Sequence, residues 1–165
     1  MHKWTEGHIH VAMRKILKAK GWLLIAGEYP GGSDHELYPL NVIDPTVARD
    51  RSPDPRRHSL GELIPDLVAL RGRDLLIAEA KVAYNIPDLE KLKYLINQRN
   101  ADLMTALAKF SNERSFPIIL PLSTLMLRPT LVYLERGTVR EPEPNFTHLL
   151  VSTQNTGRFV GALAD

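Results

Sequence analysis

Two carboxylates and an ammonium group stand at the ends of two apolar runs: Asp66, preceded by Pro65, and then, after twelve intervening residues, Glu79-Ala80-Lys81. Hard oxygen donors of this kind suit Mg²⁺ or Mn²⁺, which take a few carboxylates and complete their shell with water and phosphate oxygens. Water on such an ion ionises more readily than bulk water. A neighbouring lysine can orient or deprotonate that water, or offset charge on a phosphate under attack. Hydrolysis of a phosphodiester is the chemistry these residue types support together. Sulfur chemistry is excluded, because the 165 residues include no cysteine and so no disulfide, thiolate metal site or cysteine nucleophile.

The acids meet only if the chain brings them together. Leu63 to Leu70 and Leu75 to Lys81 are apolar runs joined by Arg71-Gly72-Arg73-Asp74, in which Gly72-Arg73 suits a two-residue turn of type II′. That turn sets a register in which Arg71 faces Asp74, Leu70 faces Leu75, Val68 faces Ile77 and Asp66 faces Glu79. Alternation then puts Glu79 and Lys81 on one face with Asp66, Val68 and Ile77. Leu67, Ala69, Leu76, Ala78 and Ala80 cover the other. With both faces apolar, the hairpin belongs in the middle of a sheet covered on both sides.

The flanking elements follow from periodicity. Ile9, Met13, Ile16 and Leu17 predict an amphipathic helix from Glu6 to Lys20, closed by Gly21. Trp22 to Ala26 reads as a buried strand with Glu28 at its end, and residues 30–61, rich in Pro, Gly, Asp and Arg, as a long loop. Asn85 caps a helix with Pro87 and Asp88 in its first turn and Leu89, Leu92, Leu95 and Ile96 on its apolar face. A further helical stretch, Ala101 to Phe110, either continues it or follows a break near 97–100. Strands are expected at Phe116 to Leu120, Thr130 to Leu134 and Phe146 to Val151, with the last dozen residues a loosely held tail.

These elements describe an α/β chain of one domain over residues 1–165. A formal charge of +2 gives no general affinity for nucleic acid, so any phosphate contact must be local. The apolar runs are too short to span a membrane and the N-terminus lacks a signal-peptide core, making the cytoplasm the default address.

Pro65-Asp66 followed by Glu79-Ala80-Lys81 resembles the PD-(D/E)xK nuclease superfamily, which includes restriction endonucleases and Holliday-junction resolvases. The resemblance covers roughly residues 6 to 120 and includes the order helix, strand, strand, strand, helix, strand. It implies a restriction endonuclease-like core, a central mixed β-sheet flanked by helices, and an endonuclease that cuts DNA. Asp66 and Glu79 would then be ligands of Mg²⁺ or Mn²⁺ and Lys81 the catalytic lysine. Many members add an acid from the first helix. The candidates are Glu6, with His10 one turn later, and Glu28 at the end of the first strand. Asp88 or Lys91 would be the polar contribution of the helix after the lysine. A symmetric homodimer is expected by analogy, since cutting both strands with one site per chain calls for two chains.

Plainer readings stand beside these. Glu79 and Lys81 can be a solvated surface pair, and two carboxylates can also serve a glycosidase. His8 and His10 fit a polar helix face as well as they imitate a metal site. Arg49, Arg51, Arg56 and Arg57 either track a phosphate backbone or lie in a solvated loop, interleaved with Asp44, Asp50 and Asp54. Trp4, Trp22 and Tyr84 can stack on bases, although Trp22 fits a core better. The alternative function is a catalytically inactive nuclease-fold module that binds nucleic acid or protein; RNA is the alternative substrate.

Overall fold

Thr5 starts the first helix by a reciprocal cap: its hydroxyl accepts from the His8 N–H at 3.3 Å while its own N–H donates to His8 Nδ1 at 3.0 Å. In the computed structural model, which describes residues 3–32, 34–44, 62–114, 121–137 and 140–164, this helix, α1, spans Glu6–Ala19. It buries Ile9, Met13, Ile16 and Leu17 and is followed by Gly21 at φ +87°, a left-handed conformation that glycine adopts without strain. Strand β1 (Leu23–Gly27) begins one residue later than the sequence predicts, and Trp22 lies in the core.

Strands β4 (Leu67–Arg71) and β5 (Asp74–Ala80) form the expected hairpin, with Leu67 opposite Ala78, Val68 opposite Ile77 and Arg71 opposite Asp74. Gly72 sits at φ +61°, as a type II′ turn requires of its first central residue. The run expected from Leu63 to Leu70 is interrupted. Pro65 has no N–H for a ladder, so Glu62–Leu63 becomes a separate strand, β3, paired with β2 (Val42–Ile43). Helices α2 (Ile86–Asn97) and α3 (Asn100–Glu113) follow, with a break between them, and the Asn85 side chain caps α2 by accepting from the Asp88 N–H at 3.0 Å.

After a single 3₁₀ turn at Leu122–Thr124 come β6 (Met126–Leu134), β7 (Thr147–Val151) and β8 (Gly157–Gly161). The main sheet has six strands in the order β1-β4-β5-β6-β7-β8; β5, β6 and β7 are parallel and the remaining neighbours antiparallel. The end of the chain is therefore not the loose tail that the sequence suggests. Phe159 inserts into the core beside Trp22, at a ring separation of 6.3 Å, and holds β8 against the sheet. The strand expected over 116–120, most of the 30–61 loop and the four loop arginines lie outside the described residues.

Each face of the sheet has its own core. Leu67, Ala69, Leu76, Ala78 and Ala80 meet α1, whereas Val68, Leu75 and Ile77 meet α2 and α3. The chain is thus an α/β protein with a mixed sheet flanked by helices, and among the described residues no helix is long and apolar enough to cross a membrane.

Candidate active site

The hairpin ladder ends at Leu67 and Ala78, and the next residue on each side is an acid. The Asp66 N–H donates to Glu79 Oε2 at 3.3 Å, and Asp66 Oδ2 accepts from the Ala80 N–H at 2.8 Å. The two acids are therefore neighbours, as the register requires, and their carboxyl groups lie within hydrogen-bonding reach of each other. Asp66 precedes the first residue of β4 and Lys81 follows the last of β5, so neither is bound by strand alternation. Glu79, inside β5, is.

Glu79 lies on the α2 face and is 2 % exposed. Burial pushes its carboxyl well above the ordinary range; the nearby charge of Asp66 pushes further the same way, and Lys91 opposes both. Lys91, on α2, sets its ammonium against Glu79 Oε1 and also donates to the Ile64 carbonyl at 2.8 Å, across the interruption at Pro65. Glu79 thus reaches α2 while its carboxyl stays within hydrogen-bonding reach of the Asp66 side chain.

Asp66 and Lys81 also meet α1. Lys81 Nζ donates to Glu6 Oε1 at 2.8 Å, which raises the lysine above its ordinary pKa, with Asp88 and Asp66 adding to the effect. His10, one turn after Glu6, places Nε2 at 3.6 Å from Asp66 Oδ2 and 3.9 Å from Glu6 Oε1. It is 1 % exposed and neither ring nitrogen makes a hydrogen bond. Burial holds its pKa below the ordinary value despite the raising influence of Asp66 and Glu6. One donor atom from each of Glu6, His10 and Asp66 lies within 4.8 Å of the others, and among the described residues no other trio of acids and histidines converges so closely.

Asp88, in the first turn of α2, belongs to the same neighbourhood. Burial raises its carboxyl pKa, and Lys81 is the strongest opposing charge. Glu28 is adjacent through its backbone, its N–H donating to the Asp66 carbonyl at 3.1 Å. Its carboxylate is not part of the converging trio; Oε1 lies by Gly32, 3.9 Å from where a Cβ on that residue would stand. His8 is occupied as the cap partner of Thr5. Trp22 is core, and Tyr84 packs edge-on to Tyr133 at 5.8 Å.

The sequence offers Lys91 and His10 for the site but not the partners that they meet. The Lys91–Glu79 pair spans two elements whose relative placement no local pattern gives. His10 left a weak signal, because it stands three residues before Met13 and seven before Leu17, at the margin of the apolar stripe. No protein-family model, curated protein or solved structure matches the chain.

Proposed function

We propose that the protein is a metal-dependent deoxyribonuclease of the PD-(D/E)xK type, an endonuclease that hydrolyses DNA phosphodiester bonds. The observation that carries this reading is the gathering of Glu6, Asp66, Glu79 and Lys81 from the start of α1, the entry to β4 and the end of β5. The order of helix, three antiparallel strands, crossover helices and parallel strand supports a restriction endonuclease-like core.

The residues fit a divalent ion. Asp66 and Glu6 offer carboxylate oxygens, Glu79 stands behind Asp66, and the buried His10 Nε2, without a hydrogen-bond partner, lies beside both. Mg²⁺ or Mn²⁺ there would lower the pKa of a bound water and neutralise charge on a phosphate. Lys81, 38 % exposed at its side chain, presents a fixed positive charge to an approaching phosphate oxygen, and Glu6 holds that ammonium in place. Lys91 keeps Glu79 oriented and compensated in a position water does not reach. A symmetric pair of chains would allow both DNA strands to be cut.

Incubation of the purified protein with supercoiled plasmid and Mg²⁺ or Mn²⁺ tests the reading. Nicking by the wild type, reduced about 100-fold or more in Asp66→Asn and Lys81→Ala, is the expected result; equal nicking by all three overturns it. A second reading, an inactive nucleic-acid-binding module, is favoured by the engagement of Glu79 with Lys91 and of Lys81 with Glu6. DNA retention with neither metal uptake nor cleavage would select it, and preferential cleavage of RNA would reassign the substrate.

A further inference from the structure

We propose that His10 is a direct ligand of the ion at this site, which therefore takes a first-row transition ion such as Mn²⁺ in preference to Mg²⁺. The inference rests on the metal-dependent reading above and specifies its ion. A buried imidazole with both nitrogens lacking hydrogen-bond partners is costly, and native folds rarely leave one without a reason. Here Nε2 is directed between two carboxylates yet stands 3.6 and 3.9 Å from them, beyond hydrogen-bonding range of either. An ion among the three groups would give the imidazole the partner it lacks.

The spacing agrees with that role. Adjacent donors on a six-coordinate ion with bonds near 2.1 Å lie about 3 Å apart, so each of the two edges at His10 needs to contract by less than about 1 Å. Glu6 has a long side chain that is 36 % exposed and can move with its partner Lys81, whereas Asp66 Oδ2, held by the Ala80 N–H at 2.8 Å, is a fixed corner of the site. Asp66 and Glu6 are also open enough to leave coordination positions for water and phosphate oxygens.

The donor type then selects the ion. Mg²⁺ prefers oxygen and gives up water reluctantly, whereas imidazole nitrogen suits first-row transition ions. Two carboxylates with one imidazole form a mixed set that accepts Mn²⁺, and replacing the imidazole with an amide should remove the advantage of Mn²⁺ over Mg²⁺.

The experiment uses Mn²⁺ as the probe on the full chain. Continuous-wave electron paramagnetic resonance measures Mn²⁺ affinity and its competition by Mg²⁺, and pulsed measurements read nitrogen coupling to the bound ion. The expected result is Mn²⁺ binding at least tenfold tighter than Mg²⁺, with ¹⁴N modulation that is absent in His10→Gln, in which the preference falls below threefold. The wild-type spectrum decides the question even if His10→Gln does not fold, and Asp66→Asn should weaken both ions. Bound Mn²⁺ without ¹⁴N modulation, or an unchanged preference in folded His10→Gln, overturns the proposal. Plasmid nicking in Mg²⁺ alongside a nitrogen-free Mn²⁺ spectrum would end this inference and leave the nuclease reading standing. Nitrogen coupling without nicking would do the reverse.

Discussion

His10 and His148 are buried to almost the same degree on opposite faces of one sheet, at 1 % and 2 % exposure, yet their surroundings differ. His148 Nδ1 is 2.7 Å from the Tyr133 hydroxyl, its ring packs against Tyr133 and Tyr84 at 5.2 and 5.7 Å, and the Arg140 backbone adds a further hydrogen bond. His10 has neighbouring carboxylates but no hydrogen bond. Burial lowers the pKa of both. At His148, a core histidine, the fold supplies partners; at His10 it places two carboxylates beyond hydrogen-bonding distance. That difference is the ground on which His10, and not His148, is proposed as a ligand.

Substitution should break the symmetry between them. In the Mn²⁺-supported plasmid assay, His10→Gln is expected to lose about 100-fold in rate, whereas His148→Gln, assayed below its melting temperature, stays within a few-fold of wild type. Equal losses would make His10 one more core residue.

The next effect concerns the acid behind the site. Lys91→Met leaves Glu79 buried without its counter-charge and should lower unfolding free energy by about 3 kcal/mol in urea at pH 7.5. Adding Glu79→Gln should return much of that loss, so an additive double variant would deny the pairing.

A pH titration sharpens the contrast further. Below about pH 6.5 the unfolded chain protonates His148 while the folded chain resists, because the folded pKa is lowered; stability is therefore complete above that range and declines as pH falls through it. The wild type should lose up to about 1.4 kcal/mol per pH unit from this group relative to His148→Gln. Parallel stability curves for the two proteins would contradict the assignment. Smallest of all, Tyr133→Phe removes the hydroxyl partner of His148 and should cost about 1 kcal/mol in a thermal or urea melt, with no change in Mn²⁺ affinity.

Local chemistry carried much of this into the sequence. Gly72-Arg73 fixed the hairpin register, and with it the meeting of Asp66 and Glu79, because a two-residue turn leaves the strands one alignment. Asn85 and Gly21 marked helix ends for equally local reasons. Strand β8 was hidden because it is short, begins and ends with glycine (Gly157 and Gly161), and is anchored mainly by Phe159, whose partner Trp22 is far away in sequence. The contacts that the site makes with α1 were hidden for a related cause. Alternation holds within a strand, and Asp66 and Lys81 lie just outside theirs, where tertiary contacts with α1 decide their direction. Glu28, adjacent in backbone, illustrates the converse: register alone does not place a carboxylate in the cluster.

A crystal soaked in Mn²⁺ and measured at the manganese absorption edge tests the account most directly. The account predicts one strong anomalous peak within bonding distance of Asp66 Oδ2 and His10 Nε2, with Glu6 drawn toward it. A peak elsewhere, or an imidazole still unbonded beside well-ordered carboxylates at saturating Mn²⁺, would contradict it.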